Sequence, residues 1–218
     1  MIIPAILENS IDEIQKKINL VEGLVERIQI DIYEGIFGNE ITPEPADLLE
    51  LDFSGLSLDI HLMTVEPIDF LADCPDLRTK VKDLRIIGQI ERMGSQRDFI
   101  LEAHELGCQA GLGLDVYTPG TSLEKLALAE LEQKDCILAM SVRAGYSGQY
   151  FIHRSIDKIK ELKMMGAPGN LIIDGGEDPV HIKMSQLAGA DQFAVGSWLW
   201  EHKSIKQALE DIAESTRK

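Results

Sequence analysis

Eight short apolar runs, separated by longer segments of helical period, constrain this chain more than any other feature. The runs are "IIPAIL", "RIQIDI", "GLSLDIHL", "KVKDLRII", "CQAGLGL", "CILAMSV", "NLIID" and "QFAVGS". Between them lie amphipathic stretches such as "SIDEIQKKINLVEGL", "SQRDFILEAHELG", "TSLEKLALAELEQ" and "IHRSIDKIKELKMMG", and "KSIKQALEDIAES" follows the eighth. Buried runs alternating with helices indicate a parallel sheet with helices packed on it. Eight such units in 218 residues predict a single-domain (β/α)8 TIM barrel over residues 1–218. An open doubly wound sheet would call for a Gly-x-Gly-x-x-Gly turn after the first strand, and that turn is missing.

Helix boundaries follow from local chemistry. Ser10, Ser95, Thr121 and Asp178 read as N-caps, with Pro179 at a first helical position. Gly107, Gly166 and Gly189 fall where helices should stop. The third and fourth units are the weaker ones: "TVEPIDFLADCPDLRTK" allows a helix of only about two turns, and the second helix is expected to be no more than "PADLLEL".

Bulk numbers exclude several classes. With 44% hydrophobic residues, the chain can fill one large core. Its 37 acidic and 21 basic residues give a net charge of −16, and no Lys/Arg cluster forms the basic patch of a nucleic-acid binder. No apolar run approaches the ~20 residues needed to span a bilayer, and "MIIPAILENS" lacks the basic start of a signal peptide. Cys74, Cys108 and Cys136 are an odd set without metal-type spacing, as in a reducing compartment. A soluble cytoplasmic protein is expected.

Chemistry in such barrels sits at the C-terminal ends of the strands. The polar residues there are Glu8, Asp31, His61, Asp115, Ser141, Asp174 and Ser197, with Met63 and Met140 close by. Asp31, His61 and Asp174 are expected to converge near the axis. Two carboxylates and an imidazole suit a divalent ion, or a general acid–base pair. Each also has a structural reading, the aspartates as turn caps and His61 as a satisfied core histidine. Three glycine loops follow the last three strands, "SVRAGYSGQ", "DGGED" and "AVGSW". Glycine lets backbone N–H groups approach a ligand, and the loops after strands seven and eight are the common phosphate site of this architecture.

These segments resemble the ribulose-phosphate 3-epimerase family. "PAILE" resembles the family's Pro-Ser-Ile-Leu-Ser, and "IDIYEGIFGN" its Val-Asp-Val-Met-Asp-Gly-x-Phe-x-x-Asn. "LDIHLM" is similar to Asp-Val-His-Leu-Met, and "MSVRAGYSGQYF" to Met-Ser-Val-x-Pro-Gly-Phe-x-Gly-Gln-x-Phe. "IIDGG" and "AVGS" match the last two strand ends. The resemblance implies a barrel of the ribulose-phosphate-binding type that interconverts D-ribulose 5-phosphate and D-xylulose 5-phosphate. It implies Asp31 and Asp174 as acid and base at C3, and both, with His61, as ligands of a divalent ion (Zn, Mn, Fe or Mg). Met63 and Met140 would line the space beside the intermediate. Gly145, Gly148, Gly175, Gly176, Gly196 and Ser197 would hold the phosphate. A homo-oligomer is expected, since family members commonly assemble.

Several positions depart from the family pattern. The histidine two residues before the first aspartate, the fourth metal ligand, is Gln29 here, a weaker and harder ligand. Zinc affinity should fall, with Mn²⁺ and Mg²⁺ relatively less disfavoured. The serine of the first strand is Glu8, which either adds negative charge to the pocket or replaces a ligand. Tyr33, Glu34 and Arg143-Ala144 replace Met, Asp and Asn-Pro. The strand-four histidine has no counterpart in "LRIIGQIE". Two alternatives follow: epimerisation of a longer ketose phosphate such as a hexulose 6-phosphate, with Arg143 contacting it, or non-catalytic phosphosugar binding.

Overall fold

The computed structural model describes residues 1–34, 42–145, 148–166 and 169–216. Each of the eight apolar runs forms a strand: β1 (Ile2–Ile6), β2 (Arg27–Tyr33), β3 (Ser57–Met63), β4 (Leu84–Gln89), β5 (Gln109–Leu114), β6 (Cys136–Met140), β7 (Asn170–Asp174) and β8 (Gln192–Val195). All neighbours are parallel, and β8 returns to pair with β1, so the sheet closes in sequence order. The α-helices are α1 (Ile11–Val21), α2 (Cys74–Arg78), α3 (Gln96–Glu105), α4 (Lys125–Glu130), α5 (Arg154–Met164), α6 (Pro179–Ala188), α7 (Ser197–Trp200) and α8 (Ile205–Thr216).

The caps explain where helices begin. Ser10 accepts the Glu13 N–H at 3.3 Å, Ser95 the Asp98 N–H at 3.2 Å, and Asp178 the N–H groups of Val180 and His181 at 2.8 Å. Gly189 ends α6 in the left-handed region at φ 119°. Thr121 is not a cap, contrary to expectation. The chain makes a 3₁₀ turn at Gly120–Ser122, Leu123 is then buried in extended conformation, and α4 starts only at Lys125. Core burial of Leu123 overrides the local capping signal. The second unit is reduced to a 3₁₀ turn at Asp47–Glu50. In the third, a 3₁₀ turn at Pro67–Asp73 leads into α2.

Alternation along each strand divides the core in two. Ile28, Ile30 and Ile32 of β2, with Leu58, Ile60 and Leu62 of β3, pack outward against the helices. Each such side chain contributes roughly 1.5–3 kcal/mol on burial. The opposite parity includes Arg27, Gln29, Asp31 and Tyr33 on β2, and Ser57, Asp59, His61 and Met63 on β3. Tyr33 and Met63 join Ile87, Leu138, Met140, Ile172 and Ala194 in a second cluster that fills the barrel interior. The charged residues near the other end are paired. Asp59 receives hydrogen bonds from both Arg27 and Arg85, and Arg85 also donates to Gln192 Oε1 at 3.0 Å.

Candidate active site

The register between β2 and β3 sets Asp31 directly opposite His61. Asp174 ends β7, beside Met140 of β6. The barrel closure brings these three together: one ligand atom from each lies within 4.8 Å of the others, and all three residues are buried. His61 Nδ1 lies 3.1 Å from Asp31 Oδ1 and 3.5 Å from Asp174 Oδ2. Metal–ligand bonds of about 2.0–2.2 Å put adjacent donor atoms roughly 3.0–3.5 Å apart. The donor set therefore fits a divalent ion in both spacing and chemistry.

Burial shapes the electrostatics. Burial, followed by the charge of Asp174, raises the Asp31 carboxyl above its ordinary pKa, against the opposing contacts with His61 and Gln29. Burial lowers the affinity of His61 for a proton, but its contacts with Asp174 and Asp31 outweigh this and push the imidazole up to about 9. Gln29, one turn of the alternation below Asp31, donates Nε2–H to Asp31 Oδ1 and to Asp174 Oδ2, each at 2.8 Å. Its amide nitrogen faces the carboxylates, and its Oε1 has no partner. To serve as a metal ligand the amide would have to turn over, since only the oxygen has a lone pair to offer.

Above this floor opens a cleft lined by Asp31, Asp174, Met63 and Met140. Its rim carries Gly145 and Gly148 from the loop after β6, Gly175 and Gly176 after β7, and Gly196 and Ser197 after β8. The three glycine loops thus converge on one space. Gly176 shows why glycine is needed: it has φ +60°, and a Cβ would stand 2.7 Å from the Phe151 backbone nitrogen. The β7 loop is tied down by Ser141, whose hydroxyl donates to Asp174 O at 2.9 Å and to Gly175 O. Asp115 accepts the Ala144 N–H at 3.2 Å and the Tyr117 N–H at 3.0 Å, and so joins the β5 and β6 loops. The segment 35–41 and residues 146 and 147, which carry part of the family resemblance, lie outside the described residues.

Glu8 is not among the cleft-lining residues. Its carboxylate pairs with Lys17 Nζ at 2.6 Å. Lys17, from α1, does line the cleft, 4.8 Å above the Trp200 ring, and Trp200 Nε1 is anchored on Ala5 O at 2.7 Å. Among the described lining residues Lys17 is the one cation. Glu177 also lines the cleft. It is 2% exposed, neither carboxylate oxygen has a partner, and burial, then Asp174 and Asp178, raises its pKa well above normal. Sequence reasoning missed both residues. A lysine on the margin of an amphipathic helix and a glutamate in a turn carry no signal of their own.

Comparison with known proteins identifies the family. The model of the ribulose-phosphate 3 epimerase family matches residues 1–200. Ribulose-phosphate 3-epimerase of Bacillus subtilis is 30% identical over 97% of this chain and 94% of its own length. The Escherichia coli K12 enzyme of that name is 30% identical over 88% and 84%, and the chloroplastic ribulose-5-phosphate-3-epimerase of Arabidopsis thaliana 29% over 98% and 76%. Among solved structures, a 3-hexulose-6-phosphate synthase aligns with TM-score 0.66 at 10% identity, covering 99% of both chains. Mycobacterium tuberculosis tryptophan synthase aligns with TM-score 0.72 at 12% identity, covering 100% of this chain and 92% of that one. At such identity these two speak only for the shared barrel. By family model and by relatives aligned along most of the chain, this chain belongs to the ribulose-phosphate 3-epimerase family, a family of isomerases.

Proposed function

We propose that this chain, as one catalytic domain, interconverts D-ribulose 5-phosphate and D-xylulose 5-phosphate by moving a proton at C3. The observation that carries this reading is the meeting of Asp31 and Asp174, from different strands, beneath a cleft rimmed by three glycine loops. Asp31 holds a proton more readily than an ordinary carboxyl, and Asp174 stands across from it. In one direction Asp174 removes the C3 proton from one face to leave an enediolate, and Asp31 donates its proton to the opposite face. The reverse direction exchanges the roles, and the configuration at C3 inverts. His61, Asp31 and Asp174 would hold a divalent ion, with Gln29 as a candidate fourth. Such an ion, when bound, stabilises negative charge developing on the substrate oxygens.

Gly145, Gly148, Gly175, Gly176, Gly196 and Ser197 would hold the phosphate, with Lys17 supplying positive charge at the rim. Met63 and Met140 would exclude water beside the reacting carbons. Arg143 lies 5.1 Å over the Tyr117 ring, and contact with a longer sugar is the alternative that a substrate panel tests. Assembly as a homo-oligomer belongs to the same proposal. Among the described residues no helix is long and apolar enough to cross a membrane.

The test is turnover of D-ribulose 5-phosphate with Mn²⁺, Zn²⁺, Fe²⁺ or Mg²⁺ added in turn, beside a panel that includes hexulose 6-phosphates. Asp174→Asn should lower kcat by about 10²–10⁴, the usual worth of a positioned acid or base, while the melting temperature is retained. No turnover with any ion overturns the activity. Wild-type rates in Asp174→Asn overturn the assignment of roles.

A further inference from the structure

Two buried polar atoms beside the site lack hydrogen-bond partners and face the same small region. His61 and Gln89 are both 0% exposed. His61 turns Nδ1 toward Asp31 and Asp174, and its Nε2 has no partner. Gln89 ends β4. It donates Nε2–H to Met140 Sδ at 2.7 Å, and its Oε1 has no partner. A buried polar atom without a partner costs roughly 1–3 kcal/mol, so two in one place call for an explanation. Gly113, opposite Gln89 in the pairing of β4 with β5, locates them. A Cβ there would lie 2.5 Å from Gln89 Oε1 and 3.4 Å from His61 Nε2. No Gly113 side chain stands between the two atoms, and one would push the amide away.

We propose that Gln89 is the positioning residue for His61, its Oε1 accepting the His61 Nε2–H, with Gly113 leaving the room for that bond. The inference rests on the reading of Asp31, His61 and Asp174 as ligands of a divalent ion. An imidazole that offers the Nδ1 lone pair to a cation carries its proton on Nε2, and that buried N–H needs an acceptor. Gln89 Oε1 is the unclaimed acceptor next to it. The sulfur of Met140, which has no proton to give, takes the amide NH2 and so decides which way round the amide stands. A rotation of the Gln89 amide toward the ring completes the bond. The ring is then held at the angle that points Nδ1 at the two carboxylates. Outer partners of this kind typically change metal affinity 10–100-fold.

The experiment measures Zn²⁺ affinity by competition with a chromophoric chelator for the wild type, Gln89→Leu, Gln89→Glu and Gly113→Ala, each with a melting curve. Gln89→Leu keeps the bulk and loses the acceptor, so it should bind Zn²⁺ 10–100-fold more weakly. Gln89→Glu keeps an acceptor while losing the bond to Met140, so it should recover most of that loss. Gly113→Ala should behave like Gln89→Leu. In ¹⁵N-labelled, zinc-loaded wild type the His61 Nε2–H should exchange slowly with water, and in Gln89→Leu rapidly. Should Gln89→Leu fail to fold, Gln89→Glu and Gly113→Ala still decide the matter. A Gln89→Leu variant that binds Zn²⁺ like the wild type, or a Gln89→Glu variant no better than Gln89→Leu, overturns the role of Gln89 alone. Should the wild type bind no Zn²⁺, the same competition is run with Mn²⁺ and Fe²⁺, and a wild type that binds none of the three overturns the metal reading, and this inference with it.

Discussion

Lys17 changes how the charge in the cleft is read. The cleft wall carries Asp31, Asp174 and Glu177, none of which attracts a phosphate. Glu8 looked like a further acid, but it is engaged by Lys17, which reaches the cleft from α1 and rests over Trp200. Its ammonium is the positive charge the described lining offers to an anion. Lys17→Met should therefore raise KM for ribulose 5-phosphate about tenfold, the scale of one hydrogen bond to a charged group, with kcat within about twofold. Lys17→Arg should restore most of the loss, and steady-state kinetics at low salt would read both. An unchanged KM in Lys17→Met would remove Lys17 from the binding role. At this scale legibility was uneven. Asp31, His61 and Asp174 stood out because each is a polar group at the C-terminal end of an apolar run, where burial is costly without a purpose. Lys17 and Glu177 interrupt nothing, since charge is ordinary on a helix margin and in a turn. Their burial depends on neighbours remote in sequence.

The strands were legible almost to their ends, because buried parallel strands are written as dense β-branched runs. The short connections were less so. In "TSLEKLALAELEQ" a good capping residue lost to the burial of Leu123, and no local pattern reports how far the core will pull a single leucine. The glycine loops were legible as loops. Their mutual packing was not. Gly176 sits against the backbone of Phe151 and Gln149, so the β6 and β7 loops position one another. Gly176→Ala would force a side chain into the left-handed region and against main-chain atoms. It should lower stability by about 1–3 kcal/mol, seen as an earlier urea midpoint, and raise KM for the sugar phosphate. A variant with unaltered midpoint and KM would show that the two loops do not depend on each other.

The closed sheet also solves a problem no single strand could. Arg27, Asp59 and Arg85 face into the barrel and are nearly or wholly buried, and they are tolerable only because closure brings them together with Gln192. Asp59→Ala would leave two guanidinium groups buried without their shared carboxylate. Breaking a buried ion pair in this way should cost roughly 3–5 kcal/mol, measured by chemical denaturation. A loss below about 1 kcal/mol would mean that water reaches the arginines. The barrel's overall form was predictable from eight repeats, but this cluster was not, because its members come from four strands and only the register introduces them. The strict alternation along β2 and β3 carries one more implication. Adding or deleting a single residue within either strand would send Asp31 or His61 out among the helices and bring isoleucines and leucines into the mouth. Divergence within this fold is therefore confined, along β2 and β3, to replacing side chains where they stand, and the chain can lengthen or shorten only between strands.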